Sequence, residues 1–198
     1  MLSAETEAEI AALALRYGTP NRSVVALTGA PFDPVSMPDR YGEVCMVVRQ
    51  PDGTLITAIK TFYPTGAFRL LTGGIHHGEA IADALLREVA EETGLDVLVR
   101  RFLAVIEYEL PALGPRASNF ATFAFLLDAV GGELAPQDPN ERIGAFRFLA
   151  VDELPALADT LEHVPDVIDP EIGGSWRDWG RFRAVVHREV FAALRVSS

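Results

Sequence analysis

The sequence predicts a mixed α/β fold in which a sheet of several strands carries helices on both faces. Two apolar, strand-like segments joined through the turn sequence Pro51-Asp52-Gly53 predict a β-hairpin. A glycine-rich segment then leads into a helical segment that stops at Gly94, a residue suited to the left-handed conformation that ends helices. Two long strand-like segments and a C-terminal amphipathic segment follow, so helices and strands are interleaved along the chain.

Residues 1–22 predict a helical extension, and residues 23–198 predict the main domain. Thr6 and Glu9 have the spacing of a capping box, apolar residues follow at helical spacing, and Gly18 ends the segment. This helix could pack on the sheet or reach a second subunit, and the pattern favours neither arrangement.

The main domain is predicted to begin with a strand at 23–27, a proline-rich loop at 29–39 and the hairpin strands at 43–49 and 55–62. A short strand at 69–72 leads into the glycine-rich segment. The remaining predicted elements are a helix at 79–93, strands at 97–110, 120–130 and 143–149 with a turn at 111–119, a short helix beginning at 151–155, and a helix at 176–195.

The composition indicates a globular protein without a surface for nucleic acid. The chain has 28 acidic against 17 basic residues and a formal net charge of -11, which argues against binding of nucleic acid or of an anionic membrane. Its single cysteine, Cys45, excludes an internal disulfide and lies in an apolar run that predicts a buried structural thiol. Because the first residues are acidic and no apolar run is long enough to span a membrane, we expect a cytoplasmic protein.

Three glutamates of the predicted helix, Glu88, Glu91 and Glu92, share one face because they are spaced i, i+3 and i+4. Like charges in this arrangement repel one another and destabilise a helix slightly. A hard divalent cation bound by the carboxylates would offset that repulsion, and no thiolate or imidazole cluster favours a softer ion. The alternative is an acidic face that is simply hydrated.

Glycines at positions 73, 74 and 78 precede this helix. Glycine allows positive φ angles and a close approach of the backbone to a ligand. The glycines lead to a helix start, where unpaired amides and the helix dipole favour anions such as phosphate. A segment of this kind before a carboxylate-bearing helix indicates a site for a metal-bound phosphate ester.

The segment also resembles the Nudix box, a pattern of glycine, glutamate and an Arg-Glu and Glu-Glu pair at fixed spacing. Every specified position is filled, by Gly73, Glu79, Arg87, Glu88, Val89, Glu91, Glu92, Gly94 and Leu95. The order of predicted elements is similar to that family as well. The resemblance implies an α/β/α sandwich around a mixed sheet, with the N-terminal helix as an addition to it.

In the Nudix family the glutamates of the box hold divalent ions. The resemblance therefore implies Mg²⁺, with Mn²⁺ as a possible alternative, bound by Glu88, Glu91 and Glu92. A main-chain carbonyl, that of Gly73 or of Thr72, would join them. Such a metal polarises phosphoryl oxygens and helps to activate water. Glu91 and Glu92 would thus be catalytic through the metal that they hold.

Arg87 and Glu79 belong to the same catalytic motif. The resemblance implies a salt bridge between them that orients the glycine-rich segment against the helix, a geometry suited to a bidentate Arg–carboxylate pair. A contact from Arg87 to phosphate is the alternative, although Arg87 lies about 100° around the helix from the glutamate face.

Five residues are candidates for substrate contact, namely Gly74, Lys60, Arg69, Trp176 and Glu141. Lys60 and Arg69 lie on strands near the box and could meet phosphates or be surface cations. Trp176 begins the last helix and could stack on a base. Glu141 precedes a strand and could supply a further carboxylate, or it could be an ordinary loop charge.

Four other aromatic and imidazole side chains carry weaker signals. Trp179 and Phe182 join an apolar helical stripe, which predicts a place in the core. His76 and His77 stand where many members of the family have Glu-Pro, and they could act as ligands or bases. Exposed loop histidines without a catalytic role are the commoner case.

The resulting functional hypothesis is a Mg²⁺-dependent pyrophosphohydrolase that cleaves a nucleoside diphosphate linked to another group, such as ADP-ribose, a sugar nucleotide or a nucleoside triphosphate. Its partner would be a small molecule, and the family also makes a homodimer possible. One alternative is a Nudix-fold module that binds a nucleotide without cleaving it. Another is an isoprenoid diphosphate isomerase, which would need a catalytic cysteine, and the setting of Cys45 gives no support for that role.

Overall fold

A computed structural model describes residues 2–109 and 120–195. The elements in chain order are α1 (Ala4–Tyr17), β1 (Asn21–Ala26), β2 (Arg40–Arg49), β3 (Leu55–Lys60), β4 (Arg69–His76), α2 (Ile81–Thr93), β5 (Leu95–Glu109), β6 (Ala121–Gly132), β7 (Ile143–Leu149), α3 (Leu154–Glu162), β8 (Ile168–Asp169), β9 (Gly174–Ser175) and α4 (Trp176–Arg195). Short 3-10 turns at Pro139–Glu141 and Val151–Glu153 precede β7 and α3. The turn predicted at 111–119 lies outside the described residues.

Seven strands form one mixed sheet in the order β1-β5-β6-β2-β4-β3-β7, and β8 pairs with β9 in a small separate ribbon. The pairs β1–β5 and β2–β6 are parallel, and the other pairs of the large sheet are antiparallel. This arrangement confirms the predicted mixed α/β fold. Within the described residues, no helix has the length and apolar character needed to cross a membrane.

Helices cover both faces of the sheet because the central strand β2 is apolar on both sides. Val44 and Met46 point into a core shared with α1 and α2, whereas Cys45 and Val47 point into the core under α3 and α4. Successive side chains of a strand face opposite sides, so one continuous apolar strand serves two cores. Cys45 is fully buried, as predicted.

The predicted hairpin is only partly present. Strands β2 and β3 pair at their turn, where Arg49 lies opposite Leu55, and then diverge. Strand β4 lies between them and pairs with both. The turn sequence therefore determines the connection, but the neighbour of each strand is decided by a segment farther along the chain.

Helix α1 begins differently from the prediction. Its N-cap is Ser3, whose hydroxyl oxygen accepts a hydrogen bond from the Thr6 amide at 3.0 Å, so Thr6 and Glu9 do not form the capping box. The side chains of Ile10 and Leu13 are buried in the core beside α2. One carboxylate oxygen of Glu9 accepts hydrogen bonds from the backbone amides of Ile81 at 2.6 Å and Ala82 at 3.4 Å.

Glu9 thus caps a helix other than its own. The N-cap residue of α2 is Ala80, which has no side-chain acceptor for the first amides of that helix. A carboxylate at this end is stabilised by hydrogen bonds and by the helix dipole. Through this contact α1 supports the start of α2, although the predicted boundary after residue 22 stays a prediction.

We expect Glu9→Ala to lower the free energy of unfolding by about 1 kcal/mol, because the first amides of α2 lose their acceptor. Glu9→Gln keeps an acceptor oxygen and should cost less. Urea denaturation of both variants measures the difference. Glu5→Ala on the same helix is the control, since Glu5 is exposed and its substitution should change stability by under about 0.5 kcal/mol; equal losses at positions 5 and 9 would contradict the capping role.

Helix α4 is tied to the sheet by two buried polar contacts. Nη1 of Arg183 donates to both carboxylate oxygens of Glu43 at 2.8 Å, and the hydroxyl of Thr122 donates to Glu43 at 2.9 Å. Nε2 of His187 accepts a hydrogen bond from the Leu70 amide at 3.0 Å. Burial lowers the pKa of His187 to about 4, so its imidazole is neutral and can act as this acceptor.

Candidate metal centre and substrate cleft

The glycines of the box serve for close packing rather than for unusual backbone angles. Gly73 and Gly74 belong to strand β4 and pair with β2, and of the three predicted glycines only Gly78 has a positive φ, at 83°. A Cβ atom on Gly73 would lie 1.9 Å from the carboxyl carbon of Glu88, and one on Gly74 would lie 2.5 Å from Nη1 of Arg40. Side chains at these two positions would therefore displace a carboxylate and a guanidinium from the cleft.

Three carboxylates converge above this strand. Oxygens of Glu88, Glu91 and Glu141 lie within 4.8 Å of one another. Glu88 and Glu91 come from successive turns of α2, and Glu141 comes from the 3-10 turn before β7. Nζ of Lys60 holds Glu141 in place at 2.8 Å. The structure thus brings Glu141, which the sequence marked only as one candidate among several, to the predicted metal site.

Glu92, the third glutamate of the predicted metal site, is not part of this cluster. The residue is 0% exposed, and neither carboxylate oxygen has a hydrogen-bond partner within the described residues. Nη2 of Arg69 lies 3.5 Å away and Nζ of Lys60 lies 4.0 Å away. Burial raises the pKa of Glu92 to about 7, and the two cations oppose that rise.

This set of groups fits a hard divalent cation. Buried carboxylate oxygens without donors are costly, and a cation bound beside them would offset that cost. The oxygens that converge here are carboxylates, the ligands that Mg²⁺ and Mn²⁺ take in proteins. Burial also raises the pKa of Glu88, Arg87 opposes that rise, and the neighbouring Glu141 and Glu91 add to it.

Arg87 organises the carboxylates around it. Its Nε and Nη2 donate to the two oxygens of Glu79 at 2.8 and 2.9 Å, and Nη2 also donates to the carbonyl of Gly74 at 2.9 Å. Its Nη1 donates to Glu88 at 2.8 Å and to Glu91 at 3.0 Å. All five N–H groups of the guanidinium therefore have acceptors, which leaves none for a phosphate.

The start of α2 differs from the predicted phosphate site. Its first amides, those of Ile81 and Ala82, already donate to Glu9 of α1. A carboxylate in this position takes the hydrogen bonds that a phosphate would need and repels it as well. An anion bound in the cleft would therefore need hydrogen-bond donors from elsewhere.

Two of the predicted substrate contacts are buried. Arg69 is 2% exposed, with Nε donating to the Tyr63 hydroxyl at 3.1 Å, so it is not a surface cation, and it borders the smaller of the two cavities described below. Trp176 is 4% exposed, and its Nε1 donates to Asp169 at 3.0 Å. The Trp176 ring packs edge-on against Trp179 and has no open face for a base, which argues against the predicted stacking role. The sequence alone does not show whether an aromatic residue at the start of a helix, such as Trp176, is exposed to a ligand or buried in the core.

The remaining sequence candidates are placed as follows. Trp179 and Phe182 are buried, which confirms their predicted place in the core. His76 and His77 are exposed, and Nε2 of His77 contacts the carbonyl of Pro38 at 3.2 Å. The buried thiol of Cys45 has a pKa raised by desolvation, so it stays protonated and is not a nucleophile.

Two adjoining cavities make up the cleft. The larger, of about 870 Å³, contains the carboxylates, Arg87 and Glu79. The smaller, of about 190 Å³, is bounded by Phe62, Tyr63 and the buried Glu43–Arg183 pair. Both cavities are lined by Met37, Arg40, Lys60, Thr72, Gly73 and Gly74. The sequence does not distinguish Arg40 from an ordinary surface arginine, because it belongs to no motif and stands at the start of an apolar strand.

Comparison with known proteins assigns the chain to a family. A family model described as NUDIX domain matches residues 40–169. An ADP-ribose pyrophosphatase of Methanocaldococcus jannaschii is 37% identical over 93 residues, which are 47% of this chain and 52% of that protein. The NAD-capped RNA hydrolase NudC of Stutzerimonas stutzeri is 30% identical over 112 residues, or 57% of this chain and 37% of that protein. The chain therefore spans about half, or less, of the length of these curated relatives.

Among solved structures, an ADP-ribose pyrophosphatase from Streptococcus suis is 19% identical with a TM-score of 0.47, and the likeness covers 78% of this chain and 91% of that chain. A similarity at this level supports no inference. The family match is the stronger finding, since Arg87 and the carboxylate cluster lie inside the matched residues. Glu9 and Arg183 lie outside them.

Proposed function

Because the chain belongs to the NUDIX domain family, we propose that it is a metal-dependent pyrophosphohydrolase acting on a nucleoside diphosphate linked to another group. The observation that carries the proposal is the convergence of Glu88, Glu91 and Glu141, together with the buried Glu92, whose carboxylate has no hydrogen-bond partner in the described residues. Three carboxylates whose oxygens lie within 4.8 Å of one another repel each other, and a bound cation would offset that repulsion.

The ligands that we propose for Mg²⁺ or Mn²⁺ are Glu88, Glu91 and Glu92 with the carbonyl of Gly73, and the position of Glu141 adds it to this set. When bound, the cation would neutralise phosphoryl charge and act as a Lewis acid. The protein holds the ligands ready for it. Arg87 orients two of the glutamates, and Lys60 orients Glu141, so little reorganisation is needed when substrate binds.

The paired cavities support a substrate with two halves. The larger cavity has room for a diphosphate beside the carboxylates, and the smaller one can take part of one attached group. The relatives named above act on ADP-ribose and on NAD-capped RNA. With a formal net charge of -11, this protein repels a long polyanion, which favours a small molecule such as ADP-ribose.

A nucleotide-binding module without catalysis is the second candidate from the sequence. Loss of box carboxylates would favour it, and here Glu88, Glu91 and Glu92 are all present. An isoprenoid diphosphate isomerase is disfavoured because the only thiol, that of Cys45, is buried and protonated. Cytoplasmic location and a homodimer remain predictions from the sequence.

The test is turnover of a compound panel by the purified chain with Mg²⁺ and with Mn²⁺. The panel comprises ADP-ribose, a sugar nucleotide, a dinucleoside polyphosphate, a nucleoside triphosphate and an NAD-capped RNA. We expect cleavage of at least one diphosphate, best for ADP-ribose, and loss of cleavage when the metal is chelated. Binding without turnover of every compound would support the binding module instead, and preference for the capped RNA would contradict the argument from charge.

A further inference from the structure

Arg40 lies where the two cavities meet. It is the first residue of β2, and its guanidinium rests against the backbone of Gly74, where a Cβ atom would lie 2.5 Å from Nη1. Its side chain is 18% exposed and lines both cavities. The absence of a side chain at Gly74 is therefore what allows the guanidinium to occupy this position.

Its neighbour Asp39 orients the guanidinium. Nε of Arg40 donates to one carboxylate oxygen at 2.9 Å, and Nη2 donates to the other at 3.1 Å. This fork geometry fixes the plane of the group. Nη1, on the side toward Gly74, has no hydrogen-bond acceptor in the part of the chain that the structure describes.

The other cations of the cleft are already engaged. Lys60 is paired with Glu141, and every N–H of Arg87 has an acceptor. Nη1 of Arg183 is bound to Glu43, and its Nε is buried without a hydrogen-bond partner in the described residues. Arg69, which borders the smaller cavity, is 2% exposed and donates to the Tyr63 hydroxyl and to the carbonyl of Leu70. Arg40 combines a fixed orientation, partial exposure and free donors.

The position of Arg40 matches a definite part of the proposed substrate. In a molecule made of two groups joined by a diphosphate, the diphosphate lies where the halves meet, and Arg40 lies where the cavities meet. The larger cavity is strongly acidic, so an anion that enters it needs cationic contacts in addition to a metal. The start of α2 cannot supply them because Glu9 occupies its amides.

We propose that Arg40, oriented by Asp39 and seated against Gly74, binds the substrate diphosphate through Nη1 at the junction of the two cavities. This inference rests on the proposed function. It assigns to Arg40 the binding of substrate, whereas the carboxylates are assigned to the metal. Asp39 is a positioning residue, and Gly74 provides the space.

The test compares Arg40→Ala and Arg40→Lys with the wild type on the compound that the wild type cleaves best. Loss of a charge-assisted hydrogen bond should raise KM about 10- to 100-fold with a smaller change in kcat. Arg40→Lys keeps the charge without the fork and should lie between. The matched control is Arg49→Ala, at the other end of β2, because Arg49 also pairs with an aspartate, Asp128, but lies outside the cleft; its KM should be unchanged.

A second variant tests the position of the Arg40 guanidinium without removing the residue. Gly74→Ala should push the guanidinium aside and raise KM while Arg40 remains charged. Thermal unfolding of each variant shows whether it is folded. If folded Arg40→Ala has a KM within about twofold of the wild type, or loses kcat alone, the inference is wrong.

Calorimetric binding of ADP-ribose separates this inference from the proposed function. If the wild type binds ADP-ribose but cleaves nothing, the proposed function fails, and Arg40→Ala should still weaken binding about 10-fold or more. Unchanged binding in that variant would overturn the role of Arg40 alone. Absence of both binding and turnover across the panel would overturn both.

Discussion

Replacing Glu91 with glutamine is expected to lower kcat at least about a hundredfold in the presence of Mg²⁺ while the fold stays intact. The substitution removes one charge from the carboxylate cluster that would hold the metal. The side chain of Glu91 is 34% exposed, so a neutral amide of the same size fits in its place. Steady-state kinetics over a range of Mg²⁺ concentrations measure the loss.

Glu92→Gln is expected to lower kcat by a similar factor, although Glu92 is fully buried. Glutamine has the size of glutamate and should keep the fold, because Arg69, which loses the carboxylate 3.5 Å from its Nη2, keeps its hydrogen bonds to Tyr63 and to the carbonyl of Leu70. Asp83→Asn is the matched control, since Asp83 is an exposed acid on the same helix. Wild-type kcat in Glu91→Gln at every metal concentration would show that the cluster is not the catalytic centre.

Arg183→Ala is expected to lower the free energy of unfolding by about 3–5 kcal/mol, the largest stability effect that we predict. The substitution leaves the carboxylate of Glu43 buried, 2% exposed, and among the described residues the hydroxyl of Thr122 is then its remaining donor. It also removes a buried polar contact between α4 and β2. Urea denaturation followed by circular dichroism measures the change.

The control for this prediction is Arg188→Ala, because Arg188 lies on the same helix but is exposed to solvent. Arg188 pairs with Asp159 and Glu162, and its side chain is 44% exposed. Exposed pairs contribute at most about 1 kcal/mol. Similar losses at positions 183 and 188 would mean that the buried pair contributes no more than a surface pair.

Local patterns in the sequence were sufficient for the elements and for part of the site. The predicted strand at 143–149 and the helix at 176–195 coincide with β7 and α4, and Gly94 ends α2 in the left-handed conformation. Glu88 and Glu91 could be placed on one helical face because their spacing repeats with the helix. Each of these features depends on residues a few positions apart, where backbone geometry limits the possible arrangements.

Tertiary structure alone brought together the groups that complete the cleft. Glu141 reaches Glu88 across about fifty residues of chain, Arg183 meets Glu43 across 140, and Glu9 caps α2 across 72. Arg40 stands at the cavity junction because β4 packs beside β2, whereas the turn sequence had indicated β3 as the neighbour. No periodicity links residues so far apart, because their contacts depend on strand order and on which helix face packs down. The sequence therefore determines the helix that carries Glu88, Glu91 and Glu92, and packing between distant segments determines which other side chains surround it.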